Sequence, residues 1–185
     1  PEITNAKNQM NTLDNMGDAN WSSGVWSKSE IELVPGMRIS MDVFLDITDP
    51  TGCWAEISAG VTNGLESSQP EGQMDDRTLA TFMYAGDACW ATDPQYRRHA
   101  WLIPYGLPVE EAQQADHLMG EWRKLVVEIL EDYRIKATLG NALLNTSKDP
   151  FDANYRKGHL QISGRSSGSA GKVYVDNLHI STEGP

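Results

Sequence analysis

Trp54 and Glu56 stand two residues apart in a run whose alternate positions, Ala55, Ile57, Ala59 and Val61, are apolar. In an extended strand that spacing puts an indole and a carboxylate on one face. His99, Trp101 and Ile103 repeat the spacing further along, next to Arg98 and shortly before Tyr105. These residue types suit one kind of ligand. A pyranose ring has an apolar C–H face, on which Trp or Tyr stacks, and a rim of hydroxyls that Glu, Asp, Asn and Arg can bond. Trp54, Glu56, Arg98, Trp101 and Tyr105 are therefore the candidate ligand-binding set. The usage of aromatics agrees: six Trp and six Tyr outnumber three Phe. The competing explanation is that Trp54 and Trp101 simply fill the core.

Catalysis has thinner support. Asp42 and Asp46 share the polar side of one run and Glu56 that of the next. If the two runs formed a hairpin, Glu56 could approach Asp42, and paired carboxylates about 5–5.5 Å apart suit retaining glycoside hydrolysis. The plainer reading is that these are solvated surface charges. His99 has the chemistry of a general base, but surface histidines are far commoner than catalytic ones. No Ser or Cys nucleophile is readable with a His and an Asp.

The elements that would position these groups are mostly strands. Residues 38–47 alternate Ile39, Met41, Val43, Leu45 and Ile47 against Ser40, Asp42 and Asp46. Pro35-Gly36 before the run and Asp49-Pro50-Thr51-Gly52 after it are turn signals. The run 53–61 follows, and the two together read as an antiparallel hairpin. Further strands are expected at 78–86, 97–103, 121–130, 133–139, 159–163 and 172–181. Residues 108–119 are the one helical candidate, with Pro108 at the first turn and Glu110 and Glu111 at its positive end. Its apolar periodicity is weak, so at most a short loop helix is expected. Many alternating strands divided by turns predict an all-β, two-sheet antiparallel sandwich.

The chain has 185 residues, which suits a single domain spanning 1–185. It begins with Pro1, which suggests excision or processing from a longer exported protein. No apolar run approaches the ~20 residues of a membrane span, so no membrane insertion is expected. The net charge of −11 disfavours nucleic acid and anionic lipid, both of which reward basic clusters. Cys53 and Cys89, each followed by Trp, are the only cysteines. They are either two buried thiols or one disulfide. The disulfide is the expectation taken forward, and it implies an extracellular or cell-surface location. Asn20-Trp21-Ser22 and Asn145-Thr146-Ser147 are sequons, informative only in a eukaryotic source.

The C-terminal third carries a resemblance. Trp122-Arg123-Lys124-Leu125-Val126-Val127-Glu128-Ile129 opens it, and Tyr133-Arg134-Ile135-Lys136-Ala137-Thr138-Leu139-Gly140-Asn141 follows as a hairpin arm and turn. Gly158-His159-Leu160-Gln161-Ile162-Ser163-Gly164 comes next, and Val173-Tyr174-Val175-Asp176-Asn177-Leu178-His179-Ile180 closes the chain. In this order the segments resemble the concanavalin A-like, or laminin-G-like, jelly-roll superfamily. The segment from Leu13 to Trp21 resembles the opening of such modules. The resemblance implies a jelly-roll β-sandwich, but the fold hosts lectins, hydrolases, lyases and interaction modules alike. The acidic Glu-x-Asp-x-x-Glu run of its glycosidases is absent, and so are the strand motifs of alginate-lyase-type members. Alternation places Asp176 on the same side as Leu178 and Ile180. A buried carboxylate there needs a cation or several N–H donors. By the resemblance, a structural calcium ion at Asp176 with Asp14 and Asp18 is the expectation. The functional expectation is non-catalytic binding of a polysaccharide or glycan. The alternative is a structural or adhesive subunit that contacts other surface proteins or copies of itself. A glycoside hydrolase or lyase comes third.

Overall fold

The computed structural model describes residues 21–47, 54–62, 77–85, 99–116, 118–166 and 171–182. They form β1 (Trp21–Glu32), β2 (Arg38–Ile47), β3 (Trp54–Thr62), β4 (Thr78–Ala85), β5 (His99–Pro104) and β6 (Gln114–Asp116). The rest are β7 (Arg123–Ile129), β8 (Ile135–Leu139), β9 (Leu143–Thr146), β10 (Lys157–Ser166) and β11 (Gly171–Ser181). One sheet has six strands in the order β1-β10-β3-β4-β5-β6; the other has five, β11-β2-β7-β8-β9. Every pairing is antiparallel. This is the two-sheet sandwich that the alternation predicts.

The two sheets meet through their apolar rows. Ile39, Met41, Val43 and Leu45 of β2 and Leu125, Val127 and Ile129 of β7 line one side of the core. Ala55, Ile57, Ala59 and Val61 of β3, with Phe82 and Tyr84 of β4, line the other. Each large apolar side chain so buried contributes about 1.5–3 kcal/mol.

One pairing differs from expectation, and the helical candidate is, as expected, no more than a short turn. The runs 38–47 and 53–61 do not form a hairpin, because β2 and β3 belong to different sheets. Each strand has one apolar row, and two such rows can be buried by facing each other across a core as well as by lying side by side. Asp42 and Glu56 consequently lie in opposite sheets, each outside its strand's inward row, so they cannot act as a carboxylate pair. The helical candidate 108–119 reduces to a 3-10 turn at Val109–Glu111, followed by β6. Pro108 and Ala112 are both extended and no side chain caps the turn. Nothing in the segment offsets the cost of helix nucleation.

Strand β1 has no counterpart in the sequence reading, because a bulge between Trp26 and Glu30 breaks its alternation. Buried Ser27 fills the gap in the ladder. Its Oγ accepts from the Leu160 N–H at 3.0 Å and donates to the Ser29 carbonyl at 2.7 Å. A clasp joins the sheets at the opposite end. Asn145 donates to the Leu102 carbonyl at 2.6 Å and accepts from the Gln113 N–H at 3.2 Å. Gln113 in turn accepts from the Leu144 N–H at 3.1 Å. Both ends of the Asn145 amide are thus engaged and the residue is buried, so this sequon is closed to glycan attachment once the domain has folded.

Gly158 marks a close approach of backbones. A Cβ there would collide with the Thr62 carbonyl on β3, which cannot swing aside as a flexible side chain would. Gly158→Ala is therefore expected to destabilise the domain by about 1–3 kcal/mol, the usual cost of overpacking. Urea unfolding followed by circular dichroism checks this, and an unchanged midpoint contradicts it.

Candidate functional site

The six-stranded sheet brings distant parts of the sequence into register on the face turned away from the core. Glu56 pairs with Met83, Met83 with Trp101, and Trp101 with Gln114. On its other side Glu56 pairs with Arg165 of β10. The adjacent row runs Trp54, Ala85, His99 and Asp116. A third row runs Ser163, Ser58, Thr81 and Ile103. Residues two apart on a strand share a face, so these rows lie side by side.

Much of this face is closed to solvent. Glu56 is 2 % exposed and Trp101 2 %. Glu56 is thus not the solvated surface charge that its strand position suggested. Ser58 and Thr81 bond each other at 2.8 Å, and Gln161 and Ser163 are buried beside them. Trp101 packs in a small second cluster with Met83, Ile103 and Leu107, apart from the main core. Its ring therefore anchors this face rather than standing open as a platform.

Solvent reaches the β5–β6 end. His99 Nδ1 lies 2.6 Å from Asp116 Oδ1, with their side chains 27 % and 65 % exposed. A carboxylate accepting from Nδ1–H leaves Nε2 as the acceptor of the neutral ring. The His99 ring meets Trp101 edge-on, with centroids 6.1 Å apart at 79°. Gln114, exposed, adds an amide to the rim. An imidazole, a carboxylate and an amide thus stand around the edge of a buried indole. That arrangement can exchange hydrogen bonds with several hydroxyls.

Of the residues proposed from the sequence, Glu56 and Trp101 share a row. Trp54 starts β3 in the neighbouring row, although only its backbone is described. Tyr105 departs: its ring packs on Phe151 at 4.8 Å, against the main core. Arg98, Cys53, Cys89, Asp14 and Asp18 lie outside the described residues. Sequence reasoning missed Asp116 and Gln114, which fall inside the segment read as a helix.

Asp176 is exposed, contrary to the expected burial. The β2–β11 register shifts between Asp176 and His179, and Asn177 takes a φ of 51°. That bulge adds one residue, so Val175 and Leu178 both pack on the core and Asp176 turns outward. Its Oδ1 accepts from the Asn177 N–H at 2.7 Å. An exposed, hydrogen-bonded carboxylate does not require a cation. Among the described residues, no group of three or more His, Cys, Asp or Glu side chains is placed to hold a metal ion. Asp14 and Asp18, the other two residues of the expected calcium site, lie outside the described residues.

No protein-family model matches the chain, and no curated protein sequence does. Solved structures do. The carbohydrate recognition domain of Emp47p superposes with a TM-score of 0.55 at 11% identity, over 87% of this chain and 78% of that one. Alginate lyase A1-II′ of polysaccharide lyase family 7 gives 0.52 at 10% identity, over 88% and 72%. A legume lectin-like domain from Entamoeba histolytica gives 0.50 at 12% identity, over 89% and 80%. The fold is the concanavalin A-like jelly-roll sandwich. Identities this low carry the fold and nothing finer.

Burial separates packing from contact in this site. Trp101→Ala is expected to cost about 3–5 kcal/mol, as for other buried aromatic truncations. His99→Ala, on the open rim, should cost under about 1 kcal/mol. Thermal melts of both variants check the contrast. A near-native melt for Trp101→Ala would mean that its indole is open to solvent.

Proposed function

We propose that the domain binds a polysaccharide without turning it over, at the β5–β6 end of the six-stranded sheet. The observation that carries this reading is the row register, which gathers Glu56, Trp101 and Gln114 beside His99 and Asp116 on one face. His99, Asp116 and Gln114 supply donors and acceptors for hydroxyls, and the buried Trp101 ring holds His99 in place edge-on. The likeness to carbohydrate recognition and lectin-like domains supports the same reading at the level of the fold.

Calorimetric titration with a panel of oligosaccharides tests it. The wild type should bind at least one without releasing products. His99→Ala and Gln114→Ala should each weaken that binding about 2- to 10-fold, the worth of one hydrogen bond, while melting like the wild type. A wild type that binds no member of the panel contradicts the proposal, and the structural or adhesive reading then replaces it.

The His99–Asp116 pair favours a second reading, a polysaccharide lyase, and the likeness to an alginate lyase supports it at the level of the fold. A base at His99 Nε2 would take a ring proton next to a uronate carboxylate. The electron pair would form the C=C bond as the glycosidic C–O bond breaks, and the departing oxygen would take its proton from water. Unsaturated ends appearing by ultraviolet absorbance, and lost in His99→Ala, would establish that reading.

Export belongs to the same proposal and rests on a Cys53–Cys89 disulfide. Closing a loop of about 36 residues would add ~3–4 kcal/mol in the chain-entropy model. Thiol counting under denaturing, non-reducing conditions should find no free thiol; two free thiols remove the argument for export.

A further inference from the structure

The outer face of the five-stranded sheet carries a row of aromatics that the site above does not use. Tyr174 of β11 pairs with Phe44 of β2, and the Val43–Arg123 pairing brings Trp122 beside Phe44. Phe44 lies between the other two rings. Its centroid is 5.5 Å from Trp122 at 52° and 5.9 Å from Tyr174 at 75°. Trp122 is 53% exposed and Tyr174 43%, which makes them two of the three most open large hydrophobics among the described residues. Tilted and edge-on contacts hold the rings in place, so a ligand orders little on meeting them.

The next row of the sheet is polar. Asp176 pairs with Asp42, and Asp42 with Lys124. Asn177 Nδ2 donates to Asp42 Oδ2 at 2.8 Å, and Lys124 Nζ lies 3.1 Å from Asp42 Oδ1. The amide of Asn177 first, and then Lys124, hold the Asp42 carboxyl below the ordinary carboxylate range. The face thus sets an apolar row about two strand spacings, ~10 Å, across beside a row of charged donors and acceptors.

Size and charge select the occupant. Three rings of about 150–250 Å² each, roughly half covered, offer a few hundred Å² at most. A stable protein partner needs about 800 Å² on each side. A chain of pyranose rings needs only a short apolar strip with polar groups at its rim. The carboxylates of Asp42 and Asp176 beside the rings disfavour an anionic polymer on this face, and Lys124, the cation of this row, is already paired with Asp42. We propose that Tyr174, Phe44 and Trp122 form a second carbohydrate-binding surface, for a neutral polysaccharide, on the sheet opposite the His99 site and independent of it.

The test uses ¹⁵N-labelled protein and three neutral probes: cellohexaose, mannohexaose and chitohexaose. Trp122→Phe assigns the Trp122 indole resonance by its loss. That resonance should move saturably with at least one probe, and it should do so equally in the His99→Ala/Gln114→Ala double variant, which separates this surface from the other site. Trp122→Ala and Tyr174→Ala should each weaken the binding about 5- to 10-fold with unchanged melting, and Trp122→Phe should restore most of it. Should Trp122→Ala fail to fold, Tyr174→Ala alone decides. The proposal is overturned if no probe moves the resonance, or if affinity is the same without the rings. It is also overturned if the resonance moves with protein concentration alone and sedimentation shows a dimer that Trp122→Ala abolishes.

Discussion

The central strands of the six-stranded sheet, β3 and β4, are closed to solvent on both faces, and the rest of the molecule depends on that. Ala55, Ile57 and Ala59 face the core, while Glu56 and Ser58 between them are equally closed to water on the other side. A polar atom buried without a partner costs about 1–3 kcal/mol. Such a face therefore has to be held in one register, with its bonds made inside the protein. Ser58 and Thr81 bonding each other across β3 and β4 show how. A slip of one residue would exchange the apolar and polar rows. The ladder that keeps Glu56 in its row continues through β4 and β5 to set Trp101 opposite Gln114 and His99 opposite Asp116.

The five-stranded sheet solves a different problem. From Leu125 along β7, and throughout β8, buried positions alternate with partly open ones, whereas β5 is buried at every position but its first. One sheet is a half-solvated wall and the other an interior layer with an open end at β5–β6. Alternating burial leaves room on the wall for side chains such as Phe44, Trp122 and Tyr174, held by one another and by the polar row beside them. The two faces offer different chemistry: a hydrogen-bonding rim around a buried indole on one, exposed rings on the other.

The strands were legible where period-2 alternation was unbroken. Ile39 to Leu45, Leu125 to Ile129 and Ile135 to Leu139 are inward rows as read. Bulges defeated the same logic. One at Trp26–Glu30 hid β1, and one at Asp176–His179 inverted the side assigned to Asp176. Alternation also leaves a strand's partner undetermined, which is why β2 and β3 read as a hairpin although a core separates them. At the site, Glu56 and Trp101 could be named as members of outward rows, but their common row depends on β4 lying between β3 and β5. His99 and Asp116 meet only through a three-residue strand, too short to leave a periodic trace. Tyr105 fails for the same reason in reverse: beyond the end of β5 the alternation no longer applies, and its ring packs inward on Phe151.

Hydrogen exchange at β6 tests the central claim most directly. Among the described residues Gln114–Asp116 is the last strand of its sheet, bonded to β5 on one side only, and edge amides of this kind exchange early. With a saturating oligosaccharide chosen from the wild-type titration, mass spectrometry of a peptide spanning residues 111–117 should show slowed exchange. The same peptide should be protected less by that oligosaccharide, at the same concentration, in the His99→Ala/Gln114→Ala variant. Binding that leaves exchange in this peptide unchanged in the wild type would place the glycan elsewhere and contradict the assignment of the site.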